Sequence, residues 1–346
     1  MRHLTLFVFA LILTGCESDI ERRDRFLELG NLALEDGDYK KSIDLYNESL
    51  KADPQFVKAF NNRGVARIES DHPYEAILDY NQAILLKADY LDALFNRAYA
   101  YEEIGNFKKA LNDVERIMEL KPDSAFVHFY KGLVQTKMRN YDEALSSFNL
   151  ADSLNPLNPE TLINIATIHY FNDELDRAEA IVSESMQLQI NDPNAYNLLS
   201  LIQLKRNRFL AALAEINRAL DEVPAEPYFL NNRGFIYLKM DSLDRALNDI
   251  NRSILINSAN GWAYRNKGIY FLAKGDYAQA VRLLERAIKE PDFIDEVYFY
   301  LGQAYKSNGD LIKACNTWKE GAEKGEKSSQ QNFLLQNCDS SLANSN

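Results

Sequence analysis

The stretch YFYLGQAYKSNGDLIKACNTWKEG, residues 298–321, decides how the rest of the chain is read. Tyr298, Leu301, Gly302 and Tyr305 recur at helical spacing and set one apolar stripe on a first helix. Gly309-Asp310 breaks that helix, and Ala314, Trp318 and Gly321 set a second stripe on a second helix. A hairpin this short cannot bury its own stripes, so it needs neighbours of the same kind.

Those neighbours are present. Gly30, Gly64, Gly132, Gly234, Gly268 and Gly302 lie 34 residues or multiples of 34 apart, with Ala98, Ala166 and Ser200 in the three remaining places. A second small column runs Ser42, Ala76, Ala110, Ala144, Ala178, Ala212, Ala246, Ala280, Ala314. A third runs Ser49, Ala83, Ile117, Ala151, Ser185, Ala219, Ser253, Ala287, Gly321. Small residues at fixed register are what two helices in close contact require. Nine units follow without insertion or deletion: 23–56, 57–90, 91–124, 125–158, 159–192, 193–226, 227–260, 261–294 and 295–328. Gly37-Asp38, Gly105-Asn106 and Gly275-Asp276 break the hairpin at the same place in other units. Pro54, Pro122, Pro156 and Pro224 close units, where a residue without N–H cannot continue a helix.

The pattern Phe26-x-x-Leu29-Gly30-x-x-Ala33, then Ser42, Tyr46, Ser49 and Pro54, resembles the tetratricopeptide repeat family, as does its counterpart from Tyr298 to Gly321. The resemblance implies an all-α, right-handed α-solenoid of about nine helix-turn-helix repeats. Ala88, Ile190 and Ser258 depart from the closing proline, and Ile117 is large where a small residue is usual. Residues 329–346 are expected to form a capping helix, through Gln330 to Cys338, and a disordered tail.

The N-terminus has a separate logic. Arg2 precedes the apolar run Leu4–Leu13, which is too short for a bilayer-spanning helix of about twenty residues. The run ends in Leu13-Thr14-Gly15-Cys16, which resembles the lipobox of a bacterial lipoprotein precursor. The resemblance implies cleavage of residues 1–15, acylation of Cys16 and a lipid-anchored tether over residues 16–22. Several acyl chains, each buried CH₂ worth about 0.8 kcal/mol, hold a protein at a membrane firmly. Glu17 rather than Asp follows Cys16, which tilts the expected location in the envelope towards the outer membrane.

The formal net charge of −12 argues against nucleic acid, whose partners cluster Lys and Arg, and favours neutral or basic partners. His3, His72, His128 and His169 fall in separate segments without a metal-ligand spacing, and no phosphate-loop, dinucleotide or nucleophile-elbow motif occurs. No enzyme and no cofactor is expected. Cys315 and Cys338 are either a disulfide stapling the cap or two buried thiols.

In the family the second, fifth, ninth and twelfth positions of each first helix line a concave groove. Carried over, the candidate lining includes Asn61, Phe95, Tyr99, Phe129, Leu133, Asn197, Asn231, Phe235 and Arg265, with Tyr130 beside Phe129 in the densest aromatic patch, where rings and amides suit an extended peptide. Only Arg265 is cationic among the fifth positions, which disfavours capture of a free C-terminal carboxylate. Asn62, Asn96, Asn164, Asn232 and Asn266 recur at the sixth position, to bond between units or to line the groove. The expected function is a membrane-anchored adaptor that binds a protein or peptide segment in this groove. The alternative is an assembly factor of an envelope machine, for pili or outer-membrane proteins.

Overall fold

The computed structural model describes residues 18–291 and 293–338, and among these the regular structure is nineteen helices with no strand. The signal segment 1–15 and Cys16 lie outside the described residues, as does 339–346. The chain forms two compact units divided after Leu120.

The first unit holds α1 (Asp19–Glu35), α2 (Tyr39–Ala52), α3 (Val57–Glu69), α4 (Pro73–Leu86), α5 (Leu91–Glu103) and α6 (Phe107–Leu120). The second opens with α7 (Ala125–Lys137), α8 (Tyr141–Leu154), α9 (Pro159–Phe171), α10 (Leu175–Leu188), α11 (Pro193–Lys205) and α12 (Phe209–Glu222). It continues through α13 (Pro227–Lys239), α14 (Leu243–Ile256), α15 (Gly261–Lys274), α16 (Tyr277–Ile288), α17 (Val297–Ser307), α18 (Leu311–Glu323) and α19 (Lys327–Leu335). Within each unit, consecutive helices pack as antiparallel hairpins and each hairpin stacks on the next, so the fold is an all-α array of repeats.

Local chemistry sets the helix ends. Ser18 and Glu21 form a reciprocal capping box at α1. Residues 19–22, within the stretch expected as a tether, form the first turn of α1, and the box satisfies the Ser18 and Glu21 N–H groups there. Asp38, Ser124, Asn158 and Asp192 cap later helices through their side chains, and Pro73, Pro159, Pro193 and Pro227 start helices where a missing N–H costs nothing. Each hairpin turn has one left-handed residue, again at 34-residue spacing: Gly37, Asp71, Gly105, Arg139, Asp173, Asn207, Asp241, Gly275 and Gly309. Eight of these are Gly, Asp or Asn, the residues that tolerate positive φ; Arg139, at φ 62°, is not.

The columns of small residues are contacts. A Cβ on Gly132 would lie 2.6 Å from Phe148, and one on Gly302 would overlap the Trp318 indole. In each case the obstructing ring stands sixteen residues downstream, on the second helix of the same hairpin. Ser42 donates to the Gly30 carbonyl at 2.9 Å and Ser253 to the Pro227 carbonyl at 2.7 Å, so these polar members of the columns are satisfied, whereas the buried Ser200 hydroxyl has no partner among the described residues.

The far end is closed by α19, which starts at Lys327, three residues before the expected cap. Glu326 is buried, and its carboxylate accepts from the N–H groups of Tyr298 (3.2 Å) and Phe299 (2.9 Å) and from the Ser329 hydroxyl (2.6 Å). It thereby caps the start of α17, although burial raises its pKa above the ordinary carboxylate value. A disulfide joins Cys315 in α18 to Cys338 beyond α19.

Candidate interaction surface

The amides of the first helices link neighbouring hairpins. In the first unit Asn62 donates to Asn31 Oδ1 at 2.9 Å, and Asn96 to Asn61 Oδ1 at 2.9 Å. In the second, Asn232 donates to Asn197 Oδ1 and Asn266 to Asn231 Oδ1, both at 2.8 Å. Asn164 instead donates to Glu160 of its own helix. Asn61 and Asn231 are buried by this ladder and so face neighbouring helices more than solvent. Asn197 is half-buried.

A second linkage escaped the sequence reading. Arg63 grips Asp79 through Nε (3.0 Å) and Nη2 (2.5 Å) while Nη1 reaches Asn47 of the preceding hairpin at 2.6 Å. Arg97 does the same with Asp113 and Asn81, and Arg233 with Asp249 and Asn217. The three carboxylates are buried, so each fork is a desolvated, bidentate pair that also ties two repeats together. The signal was present in sequence, since Arg, Asp and Asn each recur at multiples of 34 residues.

In the first unit, Tyr99 on α5 is 49% exposed and Phe95, one turn earlier, is half-buried. Burial raises the Tyr99 pKa first, and the charges of Glu103, Glu69 and Glu102 raise it further. Glu35, Glu69 and Glu103 end α1, α3 and α5, against the helix dipole, which prefers cations there. Tyr99 is thus an open ring in the field of three carboxylates.

In the second unit the candidate residues are more enclosed. Phe129 and Leu133 pack on the cluster of Ala144, Phe148, Ile165 and Ile168, with Phe129 and Phe148 rings 5.6 Å apart. Tyr130 stacks with the exposed Phe126 at 6.4 Å. Arg265 is only 5% exposed. Its guanidinium lies between the rings of Phe235 and Trp262, at 4.8 and 4.7 Å, and donates to Asn266 Oδ1 and to the Asp295 carbonyl at 2.8 Å. Burial lowers its pKa, partly offset by the fields of Tyr300, Glu296 and Asp295. Tyr170 and Tyr300 are pushed up to about 12, chiefly by burial, and both feel the Arg265 charge. Among the described residues, no three His, Cys, Asp or Glu converge as a metal site.

A family model described as tetratricopeptide repeat matches residues 27–89 and 265–318, and a second one of that description matches 91–124. The chain therefore contains tetratricopeptide repeats. No curated protein matches it in sequence. Among solved structures, PilF of Pseudomonas aeruginosa is 18% identical with a TM-score of 0.51, covering 65% of this chain and 98% of its own. The APC/C hetero-tetramer Cut9-Hcn1 gives 16% identity and a TM-score of 0.53, over 77% of this chain and 52% of the other. A tetratricopeptide repeat protein from Parabacteroides merdae gives 17% identity and a TM-score of 0.49, over 82% and 99%. At these identities the likeness is one of fold.

Proposed function

We propose that the chain is an adaptor of the bacterial envelope, held at a membrane by acylated Cys16, that docks a segment of another protein on the inner face of its first helices. The tetratricopeptide array supports a protein-binding scaffold, since a long pre-formed surface limits the ordering cost of binding. The observation that carries the docking reading is Tyr99, a large ring left half open on the inner face among three glutamates. Such a surface suits a neutral or basic segment, with a cation over the ring.

The anchor reading is supported by the sequence Leu13-Thr14-Gly15-Cys16. No described helix is long and apolar enough to cross a membrane. Ser18 already caps α1, so only Glu17 separates an acylated Cys16 from the first hairpin, which would be held close to the headgroups. Glu17 favours the outer membrane. The test is the intact mass of membrane-extracted protein, expected to show loss of residues 1–15 plus acyl chains, with Cys16→Ala leaving the membrane fraction or remaining uncleaved. A Cys16→Ala variant that is processed and fractionates like wild type would overturn the anchor.

A further inference from the structure

The helices of the first unit end at two edges, and the two differ in chemistry. In antiparallel hairpins the starts of α1, α3 and α5 and the finishes of α2 and α4 share one edge. Arg23, near the start of α1, marks it. Its guanidinium donates at 2.9 Å to Asp53, which follows α2, and lies 4.1 Å from the ring centre of Phe56, which precedes α3. At this edge Ile20, Leu85 and Leu86 are exposed, and Phe56 and Tyr90 are half-buried. Lys51, Lys58 and Lys87 are exposed beside them, with the Lys87 ammonium 5.5 Å from the Tyr90 ring centre. Asp53 is held by Arg23, Glu48 by Lys51 and Arg22, and Glu21 by the capping box, while Asp19, Asp89 and Asp92 are exposed. The opposite edge carries Tyr74 alongside Glu35, Asp36, Glu69, Asp71 and Glu103.

Open aliphatic side chains, rings and lysines together are the composition of a surface that meets the headgroup layer of a bilayer. Lysine stems lie along apolar surface with the ammonium at phosphate level, and aromatic rings settle at the same depth. The position of Cys16 says what covers this edge. It stands two residues before Ser18, the cap of α1, and two residues reach at most about 7 Å. An acylated Cys16 therefore holds the start of α1, and with it the whole edge, against the membrane. We infer that the edge bearing Ile20, Leu85 and Lys87 is a second membrane contact, seated in the headgroups of a phosphatidylethanolamine-rich bilayer. Phosphates meet the lysines there, and ethanolamine ammonium groups meet Asp19, Asp89 and Asp92. The first unit then stands end-on, with its acidic edge turned away from the lipid. Tyr99 lies eight residues into α5, about 12 Å above the contact, where a partner can reach it. This rests on the acylation of Cys16 proposed above and adds how the first unit is oriented by it.

With Cys16 acylated and Cys315 and Cys338 joined, an introduced cysteine is the thiol open to a nitroxide label. Ile20→Cys and Leu32→Cys on α1, and Leu85→Cys and Leu78→Cys on α4, are all at exposed sites. Each full-length chain is expressed, extracted in its acylated form and reconstituted in vesicles of phosphatidylethanolamine and phosphatidylglycerol. Collision of the label with oxygen, which concentrates in lipid, is compared with collision with a nickel chelate, which stays in water. The two helices run in opposite directions from the edge. Labels at 20 and 85 are therefore expected to favour oxygen by about threefold or more over labels at 32 and 78. Adding Leu86→Glu and Lys87→Glu is expected to bring the ratio at 85 down to that at 78, with circular dichroism showing that the fold is kept. A retained chain whose label at 85 is as aqueous as at 78 would overturn the edge contact. Equal lipid exposure at 78 and 85 would overturn it too, since the unit would then lie on its side. A chain that the vesicles do not retain overturns the Cys16 anchor together with this contact, so the two failures are told apart.

Discussion

Arg97 in the first unit and Arg265 in the second are both withdrawn from water, but they are compensated by different means. Arg97 meets the buried carboxylate of Asp113 in a bidentate fork and adds Asn81 of the preceding hairpin. Arg265 meets two rings, an amide and the Asp295 carbonyl of the connection that follows its own hairpin. A carboxylate fork is specific and costly to break, which suits a joint between repeats. A carbonyl contact carries no countercharge, so Arg265 depends on its two rings and its amide as well.

The largest consequence should appear at the fork. Asp113→Ala leaves Arg97 buried without a countercharge and is expected to cost about 3 kcal/mol in chemical denaturation, whereas Arg97→Met with Asp113→Leu should cost less than the single change. If the double variant is no better than the single, the fork is not what Asp113 contributes. Next is the brace behind the second region. Opening the Cys315–Cys338 disulfide, by reduction or Cys338→Ser, is expected to cost about 3 kcal/mol from the released loop, seen as a lower denaturation midpoint. Gly302→Ala drives a methyl into the buried Trp318 and is expected to cost about 2 kcal/mol. Arg265→Met sharpens the contrast most, since among the described residues no carboxylate lies in ion-pair contact with it; stability is expected to change by no more than about 1 kcal/mol. A loss as large as that of Asp113→Ala would make Arg265 a structural joint like Arg97.

The smallest effect is on pH dependence. Tyr170 and Tyr300 hold their protons more tightly when folded, up to about 12 against an ordinary 10. The folded state therefore binds more protons in that window, and stability is present below pH 10 and lost as pH rises towards 12. Tyr170→Phe should flatten that alkaline loss in denaturation measured across the window.

The repeat itself was legible because its cause is local and periodic. A small residue recurs at this place in each hairpin, and it is glycine where Tyr46, Phe148 or Trp318 fills the space, so the column shows in a single sequence. The Asn–Arg–Asp forks share the 34-residue spacing but occupy three hairpins, too few to stand out as a column beside the nine-membered small ones. The capping box at Ser18 was also readable, yet the acidic stretch after Cys16 looks like a tether until Glu21 is seen to close it. The contact of Arg139 with Phe293 could not be read. It joins residues far apart in sequence through the way successive hairpins stack, and no 34-residue column records it. Burial of Asn61, Asn231 and Arg265 was hidden for the same reason, because inner positions open to a ligand and inner positions closed by a neighbour share one register.

Docking on the inner face of the first unit is tested most directly by placing a photo-crosslinking amino acid at Tyr99 and, separately, at Leu85 on α4, which is 77% exposed. With the chain in its native membrane fraction, position 99 is expected to capture a discrete partner protein that mass spectrometry assigns, while position 85 captures none of it. Equal capture at both positions, or none at 99 under conditions where the partner co-purifies, would contradict an inner-face adaptor.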